Sequence, residues 1–273
     1  MIYFYFNIMN VIMPFVSFSV IDFVSEIIGR IFYISKNWRI KAIQENLEAI
    51  GAKNFRTERV FENMIKNHFE LLKLHRMSKT KLIEITEGYD HNEFEKYRRN
   101  NFILTGHCGN WDIAPIFISA IKMKSCTIAE YKNVGERMYE ILKIFRGKHG
   151  MIVFPLEDVS TPIKLIDSYR AGYTPLLLID RDITRIGIPV KVGNKILKIP
   201  KGPFYFANKF SSNIAIGTFI RNKSKRYRFK ITIRDLGKID NMESGAQKAI
   251  DSLFDLIRTN PEQWFAFDLN WEK

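Results

Sequence analysis

Residues 101–112 read NFILTGHCGNWD, and this stretch decides the fold class. It begins with a short apolar run that is typical of a buried strand. Gly106 and Gly109 then allow a tight turn. Asn110 can cap the helix that the apolar spacing of residues 113–121 predicts. A strand, a tight turn and a helix in this order indicate an α/β fold.

The rest of the chain continues this alternation. Strands are predicted at 126–129, 151–154 and 175–179, with helices at 135–147 and 161–171 between them. The pattern predicts a mixed, largely parallel sheet that is flanked by helices. Further strands are predicted at 213–220 and 226–233, and basic and apolar residues alternate in the second of these, which predicts one wet face and one buried face.

Composition limits the possible partners. The chain has 273 residues, of which 46% are hydrophobic, and this is enough to bury a full core. Its formal net charge of +13 attracts polyanions such as nucleic acid, anionic lipid headgroups or acidic and phosphorylated carriers. Cys108 and Cys126 are the two cysteines, so no disulfide framework is indicated and a reducing compartment fits.

The first 34 residues are nearly all apolar or aromatic. They lack the basic start and the cleavage site of a signal peptide. Pro14 interrupts the first half, and Asp22, Glu26 and Arg30 share one face of a second helix, which argues against a clean transmembrane span. We expect a hydrophobic helix pair that lies on or dips into a bilayer. Two core helices of a soluble domain are the alternative.

His107 and Asp112 form a His-x4-Asp pattern. A neutral imidazole can take the proton of a hydroxyl group as its oxygen attacks an acyl group. A carboxylate on the other ring nitrogen would fix the tautomer and stabilise the imidazolium. The spacing alone is weak, because Asp112 also suits the N-terminus of a helix and His107 a simple loop position.

The residues between the pair carry a resemblance. The segment HCGNWD closely resembles the His-x-Gly-Asn-Trp-Glu box of the lipid A acyltransferases and of the mycobacterial phosphatidylinositol mannoside acyltransferases. Both belong to the lysophospholipid acyltransferase superfamily, whose general signature is His-x4-Asp/Glu. The acid here is Asp112, as in the glycerolphosphate acyltransferases.

Three further blocks follow in the order of that family. AEYKN at 129–133 with Arg146 resembles a middle block that bears Glu and Arg. Residues 180–208 resemble the Asp-Arg-Asp block and its Pro-x-Gly-Pro turn, and PEQWF at 261–265 resembles the closing motif. The resemblance implies a three-layer acyltransferase fold over residues 36–273, preceded by a membrane-associating helical segment at 1–35.

The resemblance also implies roles for individual residues. His107 would be the general base and Asp112 its orienting partner. Arg146 could equally form a surface ion pair, and Asp180 could equally cap a turn at a strand end. The substrate-binding residues implied by the resemblance are Gly109, Asn110, Glu130, Arg146, Asp180, Arg181 and Asp182.

The implied reaction moves a fatty acyl chain from acyl-CoA or acyl carrier protein to a hydroxyl group of a membrane lipid or glycolipid. It needs no cofactor and no metal, and His68 and His75 have no acidic or Cys partner at ligand spacing. We expect the protein at an anionic membrane surface, on the cytoplasmic face of the cell membrane, either peripheral or anchored by its N-terminal segment.

Three other functions compete with this prediction. Cys108 beside His107 could be the nucleophile of a thiol enzyme, although adjacent residues in a tight turn seldom orient a thiol onto the imidazole. A non-catalytic lipid-binding relative would keep only the fold. A nucleic-acid surface would use the basic residues of 226–234 with Lys191, Lys195, Lys198 and Lys201. No known nucleic-acid-binding motif accompanies these residues, so we do not expect nucleic acid as a partner.

Overall fold

A seven-stranded sheet runs through the centre of the protein, and a separate hairpin lies beside it. In chain order the strands are β1 (Thr86–Glu87), β2 (Asn101–Thr105), β3 (Ser125–Ala129), β4 (Ile152–Pro155), β5 (Thr174–Leu178), β6 (Ile188–Val192), β7 (Lys195–Ile199), β8 (Asn213–Arg221) and β9 (Phe229–Lys238). The sheet order is β1-β9-β8-β2-β5-β3-β4, and β6 pairs with β7 in the hairpin. Neighbouring strands of the sheet are parallel except for β8 and β9.

The computed structural model describes residues 2–35, 38–99, 101–132, 135–147, 149–224, 226–265, 267–269 and 271–272. Asn133, the last residue of the AEYKN block, lies outside these ranges. The mixed, mostly parallel sheet with flanking helices confirms the predicted α/β class.

Helices cover both faces of the sheet. They are α1 (Ile2–Ile12), α2 (Phe18–Ile34), α3 (Arg39–Ala49), α4 (Thr57–Leu74), α5 (Lys79–Glu84), α6 (His91–Glu95), α7 (Ala114–Ala120), α8 (Glu136–Gly147), α9 (Thr161–Arg170), α10 (Gly202–Lys209) and α11 (Met242–Thr259). Alternate residues of β2 point to opposite faces, so Phe102 and Leu104 join one hydrophobic core and Ile103 joins the other. This buried strand is followed at its carboxyl end by the turn at 106–112 that contains His107.

Two local predictions are corrected by the structure. Asn110 does not cap the next helix, because α7 begins at Ala114 and the Asn110 side chain donates to Glu70 at 2.9 Å. The basic residue Arg228 does not lie on a wet face, since β9 begins one residue later and the Arg228 guanidinium binds Asp22 and Glu70. In both cases the side chain binds an acidic residue that is distant in the sequence, and the local spacing did not predict this contact.

The two N-terminal helices expose much of their apolar surface. Helix α2 packs on α4 through Ile21, Ser25 and Gly29, which are buried and lie four residues apart. A Cβ at Gly29 would lie 2.6 Å from the Glu62 Cα, so glycine is required for this close crossing. The opposite side of α2 carries exposed apolar side chains, among them Phe23 at 64% exposure. Within the described ranges, no helix combines the length and the apolarity that a bilayer crossing requires.

Candidate active site

The site begins where two neighbouring strands end. Strands β2 and β5 are parallel, and Thr105 lies opposite Leu178 at their carboxyl ends. His107 and Asp180 each follow two residues later, so the sheet register brings them level with each other. The carboxyl edge of an open α/β sheet is where such folds usually display their functional groups.

His107 and Asp180 form a hydrogen-bonded pair. The Asp180 Oδ1 atom is 2.8 Å from the Nδ1 atom of the imidazole, and Oδ2 accepts from the His107 backbone N–H at 2.8 Å and from the Trp264 indole N–H at 2.9 Å. Asp180 is fully buried, whereas the His107 side chain is 26% exposed. Burial alone would raise the pKa of Asp180, but the His107 ring and the three donated hydrogen bonds lower it below its ordinary value.

The carboxylate therefore determines which ring nitrogen can act as a base. An ionised Asp180 accepts a hydrogen bond from the protonated Nδ1, and this leaves the lone pair of the imidazole on Nε2. The arrangement has the chemistry of a base that is held in one tautomer by a buried acid.

The turn after β2 is held by backbone contacts with distant segments. Gly109 adopts a φ of +63°, and a Cβ there would lie 2.1 Å from the Phe219 carbonyl oxygen. Its N–H donates to the Gln263 carbonyl at 2.7 Å, and the Phe265 N–H donates to the His107 carbonyl at 2.8 Å. Glycine is required at 109 because this close approach leaves no room for a side chain.

Asp112 was predicted to orient His107, and the structure gives it a different neighbour. Arg146 Nε donates to Asp112 Oδ1 at 3.1 Å, and Nη2 donates to the same oxygen. In the described part of the chain, the imidazole bonds Asp180 and not Asp112. The physical reason is sheet register, which sets Asp180 beside the ring, while the turn carries Asp112 towards α8 and Arg146.

The middle block and the Asp-Arg-Asp block meet at a second ion pair. Arg181 donates to Glu130 at 2.5 Å, and Glu130 is nearly buried. Asp182 accepts from the backbone and hydroxyl groups of Thr184 at 2.9 and 2.6 Å and from the Gly187 N–H at 2.8 Å. These contacts stabilise the turn after β5 and keep the Arg181 side chain at the site.

Most of the predicted residues share one cleft of about 500 Å³. Asp180 lies buried beneath His107, and Gly109 and Asn110 belong to the turn; none of these three residues lines the cleft. Those that line it are His107, Asp112, Glu130, Arg146, Arg181 and Asp182.

The rest of the cleft wall is largely apolar. Ile128, Leu142, Leu165 and Phe206 contribute to it, with the Pro200–Pro203 turn at one side. A smaller apolar chamber of about 70 Å³ lies next to it, and Trp111, Arg146 and Leu178 line both spaces. A polar group at His107 can therefore be bound together with a long apolar chain.

Cys108 does not have the properties of a nucleophile. It is buried, and burial together with the nearby Asp180 charge raises the pKa of its thiol to about 12.

The two other histidines considered above have structural neighbours. His68 bonds the Tyr5 hydroxyl at 2.9 Å, and the His75 ring packs on Phe145. Among the residues that the structure describes, no group of three His, Cys, Asp or Glu side chains is placed to hold a metal ion.

Sequence reasoning missed two residues that support the site. Trp264 lies in the PEQWF block, but nothing in its neighbourhood indicated that its indole would bond Asp180. Glu70 is fully buried in α4 and accepts from the Asn110 side chain. The sequence signal for this role was the position of Glu70 directly before the apolar Leu71 and Leu72. An acidic residue that is buried in a helix needs hydrogen-bonding partners, so such a position indicates a buried polar contact.

The sequence was also compared with known protein families and with individual proteins. The family model described as bacterial lipid A biosynthesis acyltransferase matches residues 1–273. Two phosphatidylinositol mannoside acyltransferases of Mycobacterium tuberculosis, from strains CDC 1551 / Oshkosh and ATCC 25618 / H37Rv, are each 27% identical over 132 residues. The match covers 47% of this chain and 42% of each relative, so it spans less than half the length of the curated relatives. The resemblance inferred from the motifs is confirmed.

Proposed function

Because the chain belongs to the bacterial lipid A biosynthesis acyltransferase family, we propose that it transfers a fatty acyl chain from an acyl thioester to a hydroxyl group of a lipid or glycolipid. The observation that carries this proposal is the His107–Asp180 pair, which opens onto a largely apolar cleft. The acyl donor is acyl-CoA or an acyl carrier protein that carries the fatty acyl chain as a thioester. The names of the mycobacterial relatives support a glycolipid as one class of acceptor.

His107 is the proposed general base. Its Nε2 takes the proton of the acceptor hydroxyl while the oxygen attacks the thioester carbonyl carbon, and the buried Asp180 carboxylate stabilises the imidazolium. The tetrahedral intermediate then collapses, the carbon–sulfur bond breaks, and the thiolate leaves as a thiol with the proton from Nε2. An ester forms, a thioester is consumed, and His107 returns to its neutral form.

Arg146 and Asp112 are proposed to act as a unit on the opposite wall. Asp112 binds Arg146 through Nε and Nη2 and so holds the guanidinium at the cleft. We assign the remaining Nη1 group to the oxygen that becomes negative in the intermediate, because a preorganised cation stabilises charge best where water is excluded. Arg181, held by Glu130, is assigned to a phosphate of the donor or acceptor.

The acyl chain is proposed to lie along the apolar wall of the cleft and to reach the smaller chamber past Trp111. The shared lining of the two spaces supports a continuous apolar path. Burial of each methylene there would contribute about 0.8 kcal/mol.

We propose that residues 1–35 bind a membrane surface and that the protein works on the cytoplasmic face of the cell membrane. Exposed Phe15, Phe23 and Ile31 support this, since large apolar groups that stay in water mark contact surfaces. The basic net charge of +13 favours an anionic surface. Two free, buried cysteines fit a reducing compartment.

The test is acyl transfer by purified protein, with labelled acyl-CoA and acyl carrier protein offered to lysophospholipids and glycolipids in detergent. We expect His107→Ala to lower transfer by about 10²-fold or more. His91→Ala is the matched control, because His91 is an exposed histidine that also has a glutamate, Glu95, beside it on a helix. Equal activity of both variants would refute the mechanism, and lipid binding without any transfer would indicate a non-catalytic relative.

A further inference from the structure

Behind the turn that carries His107, on the side away from the cleft, lies a cluster of buried and half-buried polar side chains. It joins α4, β8 and the segment after α11. Its members are Asn63, Asn67, Glu70, Asn110, Arg221, Arg228 and Gln263, and none of them lines the cleft. A fully buried carboxylate at its centre is costly unless every lone pair is used, so the cluster is held in one arrangement.

Glu70 is the acceptor that the cluster shares. Its Oε2 accepts from the Asn110 amide at 2.9 Å and from Arg221 Nη1 at 2.7 Å. Its Oε1 accepts from Arg228 Nε at 3.0 Å and Nη2 at 2.6 Å. Two arginines therefore neutralise Glu70, and among the described residues the neutral donor that it binds is Asn110 of the turn that carries His107.

Arg221 binds two residues, Asn67 and Gln263, that hold the same turn. It donates to Asn67 Oδ1 at 2.6 Å, so the Asn67 Nδ2 group faces the Gly109 carbonyl and donates to it at 2.6 Å. The Arg221 backbone exchanges two hydrogen bonds with the Gln263 amide at 2.8 and 3.0 Å. The backbone carbonyl of Gln263 in turn accepts a hydrogen bond from the Gly109 N–H at 2.7 Å.

The N–H and the carbonyl of Gly109 are thus each bound to a residue that Arg221 holds, whereas the Asn110 N–H donates to the Phe219 carbonyl at 2.8 Å. We infer that Glu70 is a positioning residue for the proposed acyl transfer: it holds Asn110 directly, and Gly109 through Arg221, and so sets where His107 Nε2 meets the acceptor hydroxyl. The inference rests on the proposed function. A base displaced by about 1 Å can lower a rate by about 10²-fold, even when the substrates still bind.

The test compares two acids on the same helix. Glu70→Gln keeps the size of the side chain but places an NH₂ group against donors that need an acceptor. Glu62→Gln is the control, because Glu62 is also buried in α4 but faces Arg30 of α2 at 3.9 Å and does not contact the turn. Both variants are compared with wild type for kcat, for KM of each substrate, and for thermal unfolding.

We expect kcat of Glu70→Gln to fall by about tenfold or more while both KM values change by less than about threefold, since a misplaced base affects the chemical step and not the binding of the substrates. Glu62→Gln keeps the wild-type kcat. Asn110→Ala leaves the two arginine pairs of Glu70 intact and lowers kcat in the same way, so it serves as the test if Glu70→Gln does not fold. The double variant falls no further than the single ones, because both act through one contact.

Two results overturn the inference. One is a folded Glu70→Gln protein with the kcat of Glu62→Gln; the other is an Asn110→Ala protein with wild-type kcat. If either occurs while His107→Ala is inactive, the proposed function stands and only the positioning role fails. A wild-type protein that transfers no acyl group with any pair removes the proposed function and the inference together.

Discussion

The two candidate partners of His107 can be separated by one substitution at Asp180. Asp180→Asn preserves the shape of a fully buried side chain that receives three donors. If the amide oxygen keeps the Trp264 and backbone donors, the amide NH₂ faces Nδ1 of His107. The ring must then accept at Nδ1 and carry its proton on Nε2, where it can no longer act as a base.

The size of the effect follows from this tautomer change. The same Asp-to-Asn change in a serine protease triad lowers kcat by about 10⁴-fold. We expect a fall of about 10² to 10⁴ for Asp180→Asn, which corresponds to about 2.7–5.4 kcal/mol of transition-state stabilisation. KM should change little, because Asp180 lies beneath His107 and does not line the cleft.

The assay is steady-state acyl transfer at saturating donor, and the control is Asp112→Asn. That variant weakens the pair with Arg146 but leaves Nδ1 of His107 bonded to Asp180, so we expect a smaller loss, of about tenfold. If Asp112→Asn loses more activity than Asp180→Asn, Asp112 is the orienting carboxylate and the reasoning from the sheet register is wrong.

The same change has a signature in stability. The pKa of Asp180 is lowered in the folded state, so the ionised group stabilises the fold fully above about pH 5, and this contribution is lost as the pH falls through the folded pKa. We expect the difference in unfolding free energy between wild type and Asp180→Asn to shrink between pH 7 and pH 3. Urea unfolding at a series of pH values measures it, and a constant difference would contradict the lowered pKa.

Three further changes test other features. Cys108→Ser should keep kcat within about threefold, and the native thiol should resist alkylation at pH 8, because its pKa of about 12 leaves almost no thiolate. Gly109→Ala should lower kcat by about 10²-fold, since the new Cβ would push the turn away from the Phe219 carbonyl. The double change Phe23→Ser and Ile27→Ser should weaken cosedimentation with anionic vesicles by about tenfold or more and leave thermal unfolding nearly unchanged, because both side chains are exposed.

Local pattern was sufficient for much of the fold. The buried strand before His107, the turn glycines and the alternation of strands and helices follow from apolar spacing that neighbouring residues share. The hairpin of β6 and β7 lies within the block at 180–208, for which no strand pairing was predicted. Its two strands are short, and Lys191 in the first and Lys198 in the second interrupt their apolar residues.

The partner of His107 could not be predicted from local pattern. Strands β2 and β5 are adjacent in the sheet although β3 and β4 lie between them in the chain, so the closeness of His107 and Asp180 depends on strand order. The same holds for Arg228 and Asp22, which are 206 residues apart. Such pairs form only when the sheet is packed, and the spacing of residues along the chain does not predict them. The His-x4-Asp spacing could therefore indicate Asp112 but not Asp180.

The contacts of the turn with residues 263–265 have a consequence for biosynthesis. These residues supply the carbonyl that binds Gly109, the N–H that binds His107 and the indole that binds Asp180, yet they are translated more than 150 positions after the turn itself. When translation has reached the end of β9, residues 263–265 have not yet been made, so His107 and Asp180 still lack these contacts. The proposed activity can therefore appear only after α11 and the PEQWF segment have emerged and folded onto the turn.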